Sequence, residues 1–387
     1  MEALILSCST GGGHNSAGKA IAKELENRGW TTHFFDPYSL RSQKMADDVG
    51  SAYVNMVRFS PTLFGGVYNI GKLYQKAEKA FGLPNPVLEV QEKTALALFD
   101  WLKEHPVDMV LCSHPYPGLM LTWLRERGHL TPPCLMIPTD YTCIPFESDV
   151  MTDWMSLPHP DLKNEFHKEG VAYSRMIPSG IPVDPAFSRP ESRQSAASHL
   201  HLDPKKRYIL IGGGSMGIKG IWDVLARIQP VLQDQPDLHV LVLCGSNKSL
   251  YQRIERMAAP NISPVAFTDA MPDYLHLASL FITKPGGLSI TEAASCGTPL
   301  LLTTPIPGCE TQNAKFFEKH GWARYARDDA ELPALVKSLL KAEPRERKPF
   351  DPLFDHTAAK LADWVECAAA LNPLPLSLRR PFRPTSK

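Results

Sequence analysis

The stretch Arg207-Tyr208-Ile209-Leu210-Ile211-Gly212-Gly213-Gly214-Ser215-Met216-Gly217 decides the fold. An apolar run ends abruptly in glycines, and Gly220–Leu232 then carries apolar residues at three- and four-residue spacing. Strand, tight turn and amphipathic helix make one unit of a parallel α/β sheet. Outward from it, His239–Cys244, Leu280–Thr283 and Pro299–Thr303 read as further buried strands, and Ser289–Cys296 as a helix. The first half repeats the pattern with strands at Ala3–Ser9, Val107–Ser113, Cys134–Thr139 and Arg175–Ile177 and a helix at Ser16–Arg28. Val183–Lys206 is polar and proline-containing, and a new sheet starts directly after it. The expected organisation is therefore α/β: two Rossmann-like domains with parallel sheets facing across a cleft. Their expected limits are 1–183 and 207–370, with a linker at 184–206 and a proline-rich mobile tail at 371–387.

Bulk properties narrow the function classes. A chain of 387 residues suits two domains. Lys+Arg and Asp+Glu are equal at 41 each, so no global basic footprint for nucleic acid exists. No apolar run approaches the roughly 18 residues that span a bilayer. The eight cysteines include no CxxC pair, which reads as free thiols in a reducing compartment, with neither a disulfide framework nor a metal set. No metal or other cofactor is expected.

Three strand ends of the second half carry the chemistry. Gly212–Gly217 lets backbone approach a diphosphate, whose charge meets free N–H groups and a helix dipole. The same glycines satisfy a dinucleotide fingerprint, which predicts an acidic residue closing the next strand. His239–Cys244 ends instead in Gly245-Ser246-Asn247-Lys248, and Asp234 lies in a polar loop before that strand, so the dehydrogenase reading is the weaker one. After Leu280–Thr283 comes Lys284-Pro285-Gly286-Gly287-Leu288-Ser289-Ile290-Thr291-Glu292. Here Glu292 is placed either to grip a ribose diol or simply to complement the helix dipole. The next strand leads into Pro305-Ile306-Pro307-Gly308-Cys309-Glu310-Thr311-Gln312-Asn313. In open α/β sheets ligands lie outside the carboxyl ends of strands, so these three segments address one crevice.

The first half offers Ser9-Thr10-Gly11-Gly12-Gly13-His14-Asn15-Ser16, with a histidine set between glycines and a helix start. At neutral pH an imidazole there can accept a proton from an attacking hydroxyl. Ser113-His114-Pro115-Tyr116-Pro117 and Pro138-Thr139-Asp140-Tyr141 end two other strands; His114 and Asp140 either line an acceptor site or cap their loops.

Together these segments, with Ser179-Gly180-Ile181-Pro182-Val183, resemble the monogalactosyldiacylglycerol synthase and processive diacylglycerol glucosyltransferase group. That group is related to the N-acetylglucosaminyltransferase of peptidoglycan precursors, and the resemblance runs from about residue 3 to about residue 340. It implies an inverting, metal-independent transferase of the GT-B fold that moves a hexose from a UDP-sugar to diacylglycerol at the membrane surface. It implies His14 as base or orienting group beside the acceptor, with Gly12, Gly13, His114 and Asp140 on that side. It further implies Gly213, Gly214, Ser215, Met216 and Gly217 near the diphosphate, with Lys284, Gly286, Gly287, Ser289 and Thr291 at the phosphates. Glu292 would then hold the ribose, and Glu310 and Asn313 the sugar or ribose hydroxyls. The sequence departs from the group at Gly308-Cys309-Glu310, where Gly-Gln-Glu is common, which bears on the sugar chosen. Other acceptors, polyprenyl-linked or soluble, stay open, as does a nucleotide-sugar-binding protein without transferase activity. Val54–Phe81 interleaves Arg58, Lys72, Lys76 and Lys79 with Phe59, Phe64, Tyr68, Tyr74 and Phe81. It reads as an interfacial membrane contact, or as a helical insert with its aromatics turned to the core. The expected location is the inner face of the cell membrane, held peripherally.

Overall fold

The computed structural model describes all of the chain except residues 9–11, 60–65, 67–69, 72, 76, 78–80, 82–84, 190, 214–219, 234, 342–349 and 372–387, and describes only the backbone of 52–59 and 329. It forms two compact units. One comprises Met1–Pro185, Pro307–Cys309 and the chain from His356; the other comprises Ala186–Ile306 and Glu310–Asp355.

The first unit holds a six-stranded sheet built from β1 (Glu2–Leu6), β2 (Thr31–Phe35), β3 (Met109–Cys112), β4 (Cys134–Met136), β5 (Trp154–Ser156) and β6 (Met176–Ile177). Its order is β2-β1-β3-β4-β5-β6, and every pairing is parallel. The second unit holds β7 (Arg207–Gly212), β8 (Leu238–Gly245), β9 (Ile262–Ala266), β10 (Ala278–Thr283), β11 (Leu300–Leu302) and β12 (Ala323–Tyr325). Its order is β12-β11-β10-β7-β8-β9, again parallel throughout. Residues 3–6 of β1 and all of β3 and β4 are buried, as in a sheet covered on both faces.

The expected domain limits differ from these at the C-terminal end. The second domain was expected to run over 207–370, but helix Thr357–Leu371 belongs to the first unit. Leu361, Ala362, Val365, Ala368 and Ala369 enter the same apolar cluster as Ala3, Ile5, Ile21 and Leu25. Polar contacts fix its register: Arg28 bonds Asp363 at 2.6 Å and Glu366 at 2.9 Å, and Trp30 Nε1 donates to Glu366 at 3.3 Å. An alanine-rich helix with period-3.6 apolar spacing looks alike whichever sheet it covers, so its owner is not written locally. The stretch expected as a linker, 184–206, contains helix Arg193–His199, capped by Ser192 Oγ accepting from the Ser195 N–H at 3.1 Å. The tail beyond Leu371 lies outside the described residues.

All eight cysteines are free thiols, five of them buried, in line with the sequence reading. Helix Gly12–Asn27 carries His14 and lies close on the sheet at Gly18. A Cβ there would stand 2.8 Å from Phe34 Cε2, 3.0 Å from Ser113 Oγ and 3.3 Å from Ile5 Cγ2. Gly18→Val should therefore lift this helix and destabilise the unit by about 1–3 kcal/mol. Urea unfolding would show it, and an unchanged midpoint would mean the helix is not closely seated.

Candidate functional site

In an open parallel sheet a crevice opens where successive crossovers leave in opposite directions. In the first unit that point lies between β1 and β3. Their ends are level, Leu6 pairing with Cys112, and the Ser113 N–H donates to the Leu6 carbonyl at 3.0 Å. In the second unit the chain steps one way through β7, β8 and β9 and the other way through β10, β11 and β12. Its switch point is between β7 and β10, where Gly212 pairs with Thr283. The glycine segments of the sequence reading thus follow the strands that flank the two switch points.

At the first switch point His14 sits in the opening turn of helix Gly12–Asn27. Its Nδ1 lies 2.8 Å from the Ser113 carbonyl, which follows β3, and 2.9 Å from Thr139 Oγ1, which follows β4. The ring meets His114 edge-on, with centroids 4.5 Å apart. His114 is the N-cap of helix Pro115–Glu126, its Nδ1 accepting from the Tyr116 N–H at 3.1 Å. Both capping and proximity to His14 therefore apply to it. Burial lowers the pKa of His14, opposed by Asp140 and by the bond to the Ser113 carbonyl. Burial pushes His114 well below the usual histidine range, and His14 adds to the effect. Burial thus disfavours the charged form of both rings, and His14, the more open of the two, is equipped to take a proton. Gly12 is exposed and Gly13 half-buried.

The loop after β4 that bears Thr139 and Asp140 is held by two carboxylates the sequence reading did not single out. Glu165 Oε1 accepts from Thr142 Oγ1 at 2.5 Å and from the Cys143 N–H at 3.0 Å. Glu147 Oε2 accepts from the Ile144 N–H at 3.1 Å, and burial raises its pKa well above the carboxylate norm.

At the second switch point Gly212 has a packing reason of its own, since a Cβ would fall 2.7 Å from Leu243 Cδ1. Gly213 is buried; Gly214, Ser215, Met216 and Gly217 lie outside the described residues. Helix Gly287–Ser295 starts at Gly286, whose cap position supplies no side-chain hydrogen bond. Among the described residues only Glu310 Oε1, at 3.9 Å, would touch a Cβ on Gly286, so on that side the turn's backbone is open to approach. Thr291 Oγ1 turns back onto the Gly287 carbonyl at 2.7 Å and is fully buried, while Ser289 and Glu292 are half-exposed.

Lys284 forms an ion pair with Glu310, and Glu310 Oε2 also accepts from the Ile306 N–H at 2.8 Å. Asn313, fully buried, donates through Nδ2 to the Pro285 carbonyl at 3.0 Å. Glu310 and Asn313 thus bind helix Cys309–His320 to the Lys284–Gly286 turn. No sequence pattern signals a lysine–glutamate pair separated by 26 positions. The uncapped helix start and the open glycine offer N–H groups and a helix dipole suited to a diphosphate, with Lys284, paired to Glu310, beside them.

Comparison with known proteins also divides the chain between residues 183 and 208, although the second match extends into helix Thr357–Leu371. Residues 14–183 match the monogalactosyldiacylglycerol (MGDG) synthase family model, and residues 208–363 match the glycosyltransferase family 28 C-terminal domain. The chain is 29% identical over 283 residues to a processive diacylglycerol beta-glucosyltransferase of Staphylococcus saprophyticus, covering 70% of this chain and 69% of that one. A protein of the same name from Staphylococcus aureus is 25% identical over 346 residues, covering 87% and 84%. Against the Staphylococcus carnosus relative the chain spans 61% of that protein's length. Among solved structures, Acinetobacter baumannii MurG matches with a TM-score of 0.55 at 18% identity, covering 96% of this chain and 98% of that one. A UDP-GlcNAc 2-epimerase from Neisseria meningitidis matches with 0.61 at 15% identity, covering 96% and 100%. These two likenesses establish the shared GT-B-type fold alone, since a transferase and an epimerase both carry it.

Proposed function

We propose, from its matches to the monogalactosyldiacylglycerol synthase and glycosyltransferase family 28 models and its similarity to diacylglycerol glucosyltransferases, that the chain transfers a hexose from a UDP-sugar to diacylglycerol with inversion. The observation that carries this reading is His14. It is a histidine held neutral at the switch point of the unit that matches the lipid glycosyltransferases. In the proposed reaction the acceptor hydroxyl oxygen attacks the anomeric carbon opposite the leaving UDP. Its proton passes to the imidazole of His14, and the electron pair of the broken sugar–oxygen bond moves onto the diphosphate. Backbone N–H groups at Gly287–Ser289, the helix dipole and Lys284, which is shared with Glu310, meet that growing charge, so the mechanism calls on no metal. Glu292, half-exposed one turn into the helix, is assigned to the ribose.

UDP-glucose is the first donor to test, since the similar proteins are named glucosyltransferases. Purified protein with UDP-glucose and diacylglycerol vesicles, in buffer containing EDTA, should release UDP and form a glucosyl lipid. No release with any UDP-sugar and any lipid acceptor would overturn the proposal. Product on a polyprenyl phosphate and none on diacylglycerol would reassign the acceptor.

A lipid acceptor requires contact with a membrane surface, and no helix among the described residues is long and apolar enough to cross one. We assign the contact to the neighbourhood of 54–81. Most of that segment, including Phe59, Phe64, Tyr68 and the basic residues Lys72, Lys76 and Lys79, lies outside the described side chains. The described part has two faces. A Cβ on Gly71 would lie 3.5 Å from Pro145 Cβ, and Gln75 Nε2 donates to Ser148 Oγ at 3.0 Å and Asp149 Oδ1 at 2.9 Å. Ile70 and Leu73 are 67% and 70% exposed, and Phe81 is 79% exposed, an apolar face left to water. Leu73→Asp should cut co-flotation with anionic vesicles by about tenfold, from lost apolar burial plus repulsion. Unaltered flotation would move the contact elsewhere.

A further inference from the structure

We propose that Thr139 is a positioning residue that holds the plane of the His14 ring, whose proton the Ser113 carbonyl keeps on Nδ1, leaving Nε2 as the atom that receives the acceptor's proton. The inference rests on the reading of His14 as base and specifies how that base is prepared.

The Ser113 carbonyl has no proton to give. At 2.8 Å it is satisfied only by an N–H, so Nδ1 of His14 is the protonated nitrogen. Thr139 Oγ1, 2.9 Å from the same Nδ1, then serves as a second acceptor of that shared hydrogen. A bare Nδ1 would set its lone pair against the carbonyl oxygen, and the threonine hydroxyl would have to turn inward to compensate. Two acceptors, one after β3 and one after β4, also define the plane of the ring. The Ser113 carbonyl alone fixes only one direction, because the ring can still tilt about that single bond.

The neighbour on the other side keeps the opposite arrangement. His114 Nδ1 accepts from the Tyr116 N–H, so in the neutral ring the proton is on Nε2. The two imidazoles meet edge to face at 4.5 Å with complementary protonation. The charged or titratable groups that face His14 are His114 after β3 and Asp140 after β4. Burial opposes a second proton on His14, while Asp140 and the bond to the Ser113 carbonyl favour one. The Ser113 carbonyl thus decides which nitrogen of His14 bears the proton, Thr139 helps hold the ring in place, and burial and Asp140 decide when it gains another. Thr139 is 7% exposed, so water does not readily replace its hydroxyl.

Two readouts test this on the full-length protein. Nitrogen-15 spectra of the resting enzyme should show Nδ1 of His14 as the protonated, pyrrole-type nitrogen and Nε2 as the bare one. In assays with UDP-glucose and diacylglycerol vesicles, Thr139→Val should lower kcat about tenfold with KM for UDP-glucose unchanged, the loss of one net hydrogen bond. Thr139→Ser, which keeps the hydroxyl, should restore most of the rate. A bare Nδ1 in the wild-type spectrum would overturn the proposal, as would equal kcat for Thr139→Val and wild type. Equal impairment by serine and valine would also overturn it, because methyl packing rather than the hydroxyl would then matter. Should Thr139→Val fail to fold, the wild-type spectrum and the serine variant still decide. If the wild-type protein releases no UDP, the transferase reading falls while the spectrum continues to judge the protonation pattern.

Discussion

Replacing His14 with alanine will lower kcat by about 10²–10⁴, the range for removing a general base, and leave UDP affinity nearly unchanged. The separation follows from where the residue stands. His14 belongs to the unit that matches the lipid glycosyltransferases, whereas the uncapped helix start, Lys284 and Gly286 belong to the other. Steady-state rates and calorimetric titration with UDP measure the two effects separately. A variant with normal turnover and weakened UDP binding would reverse the division of labour. The pH profile carries a second signature. Burial lowers the pKa of His14, so the acidic limb of kcat/KM should lie below the ordinary histidine value of about 6.5. Protonation removes the base, so activity falls as pH drops through that limb and is full above it. Stability shifts in the same direction. The unfolded state binds the proton first, so folding weakens as pH falls from the ordinary value through the lowered one. An acidic limb above the ordinary value would exclude His14 as the group responsible.

Glu310→Ala will weaken both the second unit and its grip on UDP. The carboxylate is 6% exposed, and its removal leaves the Lys284 ammonium and the Ile306 N–H without their present partner. Breaking a buried pair by deleting one side costs about 3–5 kcal/mol, and the partly exposed lysine brings the expected loss nearer 2–3 kcal/mol. Urea unfolding followed at the transition of the second unit measures this. UDP affinity should fall at least about tenfold, because the turn at Lys284–Gly286 loses its charged anchor to helix Cys309–His320 and keeps, among the described residues, only the Asn313 bond to the Pro285 carbonyl. Glu310→Gln, which keeps an oxygen for the Ile306 N–H, should recover part of the stability. Unaltered UDP binding in the alanine variant would show that the turn holds its shape without the pair.

Much of the fold was legible because parallel strands, buried on both faces, announce themselves as apolar runs. Ala3–Ser9, Val107–Ser113, Arg207–Ile211 and His239–Cys244 all fall on observed strands. The strands missed by sequence reading lack that signature. Edge strand β2 reads Thr-Thr-His-Phe-Phe and is at most half-buried; β9 contains Pro264; β5 and β12 are three residues each. Strands so short or so mixed owe their conformation to the neighbour they pair with, which no local window contains. The site divides likewise. His14 stood out because a histidine between glycines and a helix start is an unusual local pattern. Thr139 was quoted in its segment but given no role, since its contact with His14 spans 125 positions. Glu147 and Glu165 appear in sequence as ordinary acids, and only the fold of the loop after β4 brings N–H groups onto them.

The return of helix Thr357–Leu371 to the first unit has a consequence for biosynthesis. The second unit is almost contiguous, from Ala186 to Asp355, and its core cluster from Ile209 to Val336 is complete before His356 is translated. The first unit, although begun first, waits for Leu361, Ala362 and Val365 to cover helix Gly12–Asn27. On the ribosome the segment carrying His14 is therefore the earlier to emerge and the later to finish. Until Thr357–Leu371 has been translated, the apolar flank of that nascent helix is open to chaperones and to aggregation.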